Sequence, residues 1–446
     1  MEDYRLVADA VAADIAAGRL RPGDRLLPQR AFARQRGIAN STANRVYREL
    51  ARRGLVVGEV GRGTFVRAAP RTAGPALAEP AAARIDLELN YPLVPEQSEL
   101  LARGLAHLAR PDALAGAMRP IGPTGTPRAR EAAAALLTRA GWAPAPERLL
   151  FAANGRAAIA AAVAALVRPG ERLGVEALTY PQFKSIAARL GAILVPLATD
   201  ESGLRPDALA AAHRGAPLRA VYLQPTLHNP LGVTMPERRR AELARELRRM
   251  DAYAIEDTIW AFLTDGPPPL AALAPERTIL VDSLSKRLAP GLAVGFAVTP
   301  ASVADRVAAA LRSGAWAATG VALDAATRWI ADGTVGVIGE AKRRDAADRQ
   351  RLVHRHLAGF TVRADPHAYY CWWELPEPWR ADTFVAAAAR RGIAVTPGAA
   401  FVVGPRAAPG AVRIGIASPP TETLDRALET LAAIAHGAPE DAATVE

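Results

Sequence analysis

TILVDSLSK, Thr278–Lys286, decides how this chain is read. The apolar, β-branched run reads as a buried strand, and the polar cluster that closes it sets a lysine just past the strand end. That residue type carries information: of 55 basic residues only three, Lys184, Lys286 and Lys342, are lysine. A chain that meets nearly every need for positive charge with arginine and still places lysine here points to a primary amine, because arginine cannot form a Schiff base at neutral pH. The plain alternative is an ordinary surface lysine. Against it stand HNPLG (residues 228–232) and IED (255–257) upstream and VRIGIA (412–417) downstream, which bring an amide, a carboxylate and an arginine into the same ordered series.

Working outward, LLFAAN (149–154) runs into GRAAIAAAVAALV, a strand followed by a glycine-led helix. Free N–H groups and the helix dipole make such a turn an anion site. RLGVE, a helix near 180–190, AILVPL, AVYLQP, a helix from Pro236 to Met250, YAIED and TILVDS continue the alternation. Strands alternating with helices predict a mostly parallel sheet covered by helices. TVRADPHAYYCWWEL, a helix after Asp382, GIAVTPG and AVRIGIA predict a smaller C-terminal α+β lobe.

These are the parts that pyridoxal phosphate (PLP) chemistry requires: an amine, a carboxylate for the pyridine nitrogen, a partner for the ring hydroxyl, a stacking face and phosphate donors. Lys286 supplies the amine and Asp257 the carboxylate. Asn229 reaches the hydroxyl, Tyr180 stacks, and Gly155, Arg156, Ala157 and Ser283 hold phosphate, with Arg287 a further cation near it. Arg413 grips a carboxylate on a small-molecule ligand. Each has a bland counterpart, such as a solvated strand-end Asp or a core tyrosine. Their joint order favours the site.

Residues 1–68 hold 13 Arg against 7 Asp or Glu, within a chain of net charge +10. A basic module at one end suggests a polyanion. Leu6, Val7, Ala10, Val11 and Ile15 repeat at helical spacing. A second short helix is expected from Pro28 or Gln29 to Gly37, and a third, capped by Asn40, Ser41 or Thr42, runs to Arg53. GLVVGEVGRGTFV (54–66) reads as two strands around a Gly-Arg-Gly tip, a β-wing. Helix, turn, helix and wing place Asn40, Ser41, Thr42, Asn44 and Arg45 at base edges, with Arg34, Arg36, Arg48, Arg52 and Arg62 at phosphates. Gly63 lets the wing backbone approach closely. Residues 69–84, rich in Pro and Ala without period, are a linker, and the second domain spans 85–446.

The single cysteine, Cys371, excludes an internal disulfide, and seven scattered histidines show no metal-ligand spacing. No apolar run reaches the roughly 18 residues of a membrane span, and the N-terminus does not read as a signal peptide. The expected location is the cytoplasm, without a membrane partner.

LLPQRAFARQRGIANSTANRVYRELARRGLVVGEVGRGTFV (26–66) resembles the winged helix-turn-helix of GntR-type regulators, with Asn40 where that family often has arginine. The whole chain resembles MocR-type regulators, which join such a domain to a fold-type I, aminotransferase-like PLP domain. The resemblance implies an aldimine at Lys286, Asp257 at the pyridine nitrogen, Asn229 at the ring hydroxyl and Arg413 at a carboxylate. It implies a homodimer, commonly head-to-tail, bound to double-stranded operator DNA and responsive to an amine or amino-acid effector. Three departures from the pattern stand out. Ala293 stands where an arginine seven residues past the lysine binds phosphate, Ile259 where a tyrosine often follows the aspartate, and Pro120 and Ile121 where a partner's tyrosine often reaches the phosphate. A working aminotransferase with a fused DNA-binding domain, and a cofactor-free regulator using the fold as a dimerisation scaffold, are the alternative readings.

Overall fold

The computed structural model describes residues 4–16, 19–20, 24–52, 55–59, 63–66, 83–292, 294–404 and 407–439. At the N-terminus α1 (Tyr4–Ala16), α2 (Gln29–Arg36) and α3 (Asn40–Arg52) precede a hairpin of β1 (Val56–Glu59) and β2 (Gly63–Val66). α2 stops because Gly37 takes the left-handed conformation, φ 64°, and returns its N–H to Ala33 and Arg34 carbonyls. The core of this module is Val11, Phe32, Val46, Tyr47, Leu50 and Val66, with Phe32 and Tyr47 edge to face at 5.3 Å. The expected helix-turn-helix and wing are thus present. Arg62 and the Arg52 side chain lie outside the described residues, as do 69–82 of the expected linker.

The large domain is built on a seven-stranded sheet. In space its strands run Leu149–Ala152, Gly295–Val298, Thr278–Ser283, Tyr253–Asp257, Ala220–Leu223, Arg172–Glu176 and Ile193–Leu197. Only Gly295–Val298 runs against the others. The central strands are apolar over most of their length because both faces are covered, with polar residues gathered toward their carboxyl ends. Ile279 and Val281 point into one layer with Ile159, Val163 and Phe183, while Leu280 points into the other with Phe151 and Phe296. The helix Pro127–Leu137 is capped by the Thr126 hydroxyl.

The C-terminal lobe is a four-stranded antiparallel sheet, in the order Thr361–Arg363, Tyr370–Glu374, Ala411–Gly415 and Thr396–Pro397. Trp373, Phe384, Ile414 and Leu428 form part of its core. The helix Thr334–His356 joins the two layers: Val335 and Ile338 pack in the large domain, Ala346, Leu352 and Val353 in the lobe. Ile85–Asp86 pairs in parallel with Ile393–Ala394, so the chain enters the C-terminal lobe directly after the linker. Among the described residues no helix is long and apolar enough to cross a membrane, and no cluster suits a metal ion.

Candidate functional site

The carboxyl ends of the parallel strands open onto one cavity of about 1000 Å³, mouth included. Strand ends in such sheets gather side chains into a crevice, because each following loop turns away from its neighbour. Here they deliver Asn154, Gly155 and Arg156 after Leu149–Ala152, Gln224 and Asn229 after Ala220–Leu223, Asp257 at its strand end, and Ser285 and Lys286 after Thr278–Ser283. Tyr180, Tyr91, Trp260 and Arg413 complete the wall.

Asp257 is buried, and both its carboxylate oxygens accept hydrogen bonds. Its Oδ2 accepts from the Tyr222 hydroxyl at 2.6 Å and Gln224 Nε2 at 3.1 Å, and its Oδ1 from the Ile259 N–H at 3.1 Å. Burial pushes the carboxyl up to about 6, while these hydrogen bonds oppose the rise. Tyr222 and Gln224 lie two apart and so share a face of the chain continuing from Ala220–Leu223; Phe183 stacks on the Tyr222 ring at 3.7 Å. Gln224 also accepts from the Asn229 N–H through Oε1 at 3.3 Å. The Asn229 amide faces the cavity with Oδ1 buried and unpartnered.

Lys286 Nζ donates to the Asn90 carbonyl at 2.6 Å, over the Tyr91 ring (3.9 Å to its centroid) and 5.2 Å from that of Trp260. Removal from water, with Arg413, Arg156 and Lys342 nearby, holds this amine well below the ordinary lysine range. Arg413, only 4% exposed, donates to the Glu88 carbonyl (2.6 Å) and the Thr396 hydroxyl (3.1 Å) while its Nε is buried without a partner. Burial lowers it to about 10, and it stays charged at neutral pH. Both side chains therefore hold one strip of backbone, Glu88–Asn90. The strip is fixed further by Ser418, whose hydroxyl donates to the Leu89 carbonyl at 3.1 Å and accepts from the Tyr91 N–H at 3.0 Å.

Lys286, Asp257, Asn229, Tyr180, Gly155, Arg156 and Arg413 come together as expected from sequence. Three other residues are placed differently. The Ala157 N–H is taken by the Asn154 side chain at 2.9 Å, which caps the helix Gly155–Leu166. Ser283 caps the one-turn helix Leu284–Arg287, its Oγ accepting from the Ser285 N–H at 3.1 Å, and Ser285 lines the cavity in its place. Arg287 pairs with Asp282 at 2.9 Å and lies over the Phe262 ring at 5.1 Å, and does not itself line the cavity. Helix geometry explains Arg287, since adjacent residues project about 100° apart. Ile259, the noted departure from the family pattern, lines the cavity. Asn90, Tyr91, Trp260, Tyr222 and Gln224 escaped sequence reasoning. Only the Tyr-x-Gln alternation in AVYLQP carried a usable signal.

On α3, Ala43, Val46, Tyr47 and Leu50 are buried. Asn40, Ser41, Arg45 and Arg48 are exposed, and Thr42 and Asn44 half-buried, giving one polar face at helical spacing. Arg34 and Arg36 are exposed at the end of α2, Arg36 lying 3.6 Å from Asp14. Gly63 opens β2 at φ 125°, and a Cβ there would meet Arg25 Nε at 2.6 Å.

The model of bacterial regulatory proteins of the gntR family matches residues 3–66, and that of aminotransferase class I and II matches residues 85–431. The chain is 30% identical over 432 residues to the HTH-type transcriptional regulator YdeF of Bacillus subtilis, covering 96% of this chain and 93% of that one. It is 26% identical over 436 residues to the vitamin B6 salvage pathway transcriptional repressor PtsJ of Salmonella typhimurium, covering 97% of each. Among solved structures, an archaeal alanine:glyoxylate aminotransferase matches with a TM-score of 0.72 at 23% identity, over 79% of this chain and 90% of that one. At that identity the likeness is one of fold.

Proposed function

The chain belongs to the MocR-type transcriptional regulators, a GntR-family DNA-binding domain joined to a class I and II aminotransferase domain, and from that premise we propose that it senses an amine or amino acid through PLP at Lys286. The observation that carries this reading is that Lys286 and Arg413 both hydrogen-bond the strip Glu88–Asn90, the stretch that follows the linker from the DNA-binding module.

The cavity fits the cofactor. A buried acid poised near 6, a strand-following lysine amine, an unpartnered buried Asn229 oxygen that accepts and a glycine-led helix N-terminus that donates supply the partners that PLP needs. Bound PLP supplies an aldehyde that condenses with primary amines. Asp257, once ionised, holds a proton at the pyridine nitrogen, and Tyr222 and Gln224 keep its Oδ2 in place. With PLP bound, Asn229 would meet the ring hydroxyl, Tyr180 would flank the ring, and Gly155, Arg156 and Ser285 would serve the phosphate.

An effector bearing both an amine and a carboxylate would draw on Lys286 and Arg413 together. The unpartnered Arg413 Nε gives the carboxylate a donor at no cost to an existing bond. A carboxylate that also takes Nη2 competes with the Glu88 carbonyl. Ligand binding thus changes what holds Glu88–Asn90, and a ligand with different affinity for the two arrangements shifts the DNA-binding module between them. The protein acts in the cytoplasm as a homodimer on double-stranded operator DNA. α3 presents Asn40, Ser41, Asn44 and Arg45 to base edges, and Arg34, Arg36 and Arg48 contact phosphates.

Visible absorbance of PLP-dialysed protein beside Lys286→Ala tests the reading. A visible band in the first and not in the second is expected, with spectral change on adding amino acids. No band in either refutes it.

A further inference from the structure

We propose that Lys342 is a positioning residue for Lys286, holding the lysine's backbone from behind the cavity; the proposal rests on the reading of Lys286 as the PLP-bound lysine. Lys342 sits midway along the helix Thr334–His356 and is fully buried. Its Nζ donates to the carbonyl of Lys286 at 3.0 Å and to that of Leu288 at 2.6 Å. Gln97 Nε2 adds a third donor, to the Leu288 carbonyl at 3.2 Å.

These bonds answer a local need. The helix Leu284–Arg287 is a single turn, and its closing residue, Leu288, leaves helical geometry at φ −112°, ψ −97°. So short a helix exposes the carbonyls at its negative end, inside the protein, and a buried cation satisfies them. The residue type repeats the signal that singled out Lys286: in a chain that otherwise uses arginine, two of three lysines meet here. An ammonium is compact enough to sit against two carbonyls two residues apart, whereas a guanidinium is a wider planar fork.

The helix bearing Lys342 packs in both the large domain and the C-terminal lobe. Movement of the lobe therefore reaches the Lys286 backbone through these two bonds. The charge reaches it too. Burial lowers Lys342 to about 7 against the pull of Asp345, and its positive form disfavours charge on the Lys286 amine.

The test uses full-length protein loaded with PLP, comparing wild type, Lys342→Met and Lys342→Gln for cofactor retention, for the pH midpoint of the visible absorbance change, and for melting. Loss of a buried charged donor predicts about tenfold weaker retention in Lys342→Met. Loss of the nearby positive charge raises its midpoint. Lys342→Gln keeps two N–H donors, so it recovers part of the retention but shares the raised midpoint. A residue that only fills core would lower melting and leave the midpoint alone. Wild-type retention and midpoint in both variants overturn the proposal, and if the Met variant does not fold, the Gln midpoint decides. A wild type without the visible band overturns this role and the cofactor reading together, whereas a normal band with an unmoved midpoint overturns this role alone.

Discussion

Removing one hydroxyl, in Tyr222→Phe, isolates what tunes Asp257. The ring is fully buried and stacked on Phe183 at 3.7 Å, so phenylalanine keeps the packing and loses only the 2.6 Å bond to Oδ2. A hydrogen bond to a charged group contributes about 1.5–3 kcal/mol, and 1.36 kcal/mol corresponds to one pH unit. The Asp257 carboxyl, at about 6 with the bond in place, should rise to between about 7 and 8 without it. The cofactor's protonated pyridine nitrogen requires the ionised form, so affinity in the wild type should rise with pH through about 6. In the variant the same rise should be displaced upward, and at pH 7 affinity should fall about two- to tenfold as the ionised fraction drops. Titrating PLP into both proteins from pH 5 to 9, by visible absorbance, measures the midpoint directly. The sign for the cofactor-free protein runs the other way. A carboxyl raised above its unfolded value stabilises the fold fully below about 4, and that contribution is lost as pH rises through about 6. A midpoint that stays put or moves down would refute the assignment of Asp257 as the tuned group.

Two further outcomes are expected. Arg45→Ala combined with Arg48→Ala should weaken operator binding, the first change relaxing base preference and the second flattening the salt dependence by about one in log–log slope per subunit, with dimerisation unchanged; fluorescence anisotropy at several salt concentrations measures it. Gly295→Ala should disable the phosphate end of the cavity, because a Cβ there would lie 2.3 Å from the Asn154 carbonyl at the start of the glycine-led helix. PLP retention should drop at least tenfold while the winged module, remote in sequence and with its own core, keeps its DNA affinity.

Much was legible in the sequence because it is local. A β-branched run followed by a lysine specifies a strand and what lies just beyond it, as Thr278–Ser283 and Lys286 illustrate. Glycine punctuation fixed the C-terminal end of α2 and the start of the helix Gly155–Leu166, and the period of Ala43, Val46, Tyr47 and Leu50 fixed which face of α3 is free. These follow from backbone sterics and side-chain period, which neighbours in the chain determine by themselves. The direction of a side chain off a one-turn helix does not follow so simply: Arg287 and Ser283 carry the right chemistry, but one turns to Asp282 and the other caps its own helix.

What only the tertiary structure decided lies between residues far apart in sequence. Asn90 and Tyr91 meet Lys286 across nearly two hundred residues, Arg413 reaches Glu88 across still more, and Lys342 comes to the Lys286 carbonyl from a helix shared by two layers. No periodicity encodes such contacts. They arise when strand ends converge at one edge of a parallel sheet and the C-terminal lobe closes over that edge. The amine and the acid are thus written in the chain, while the low-dielectric surroundings that retune both exist only once the sheet and lobe have excluded water.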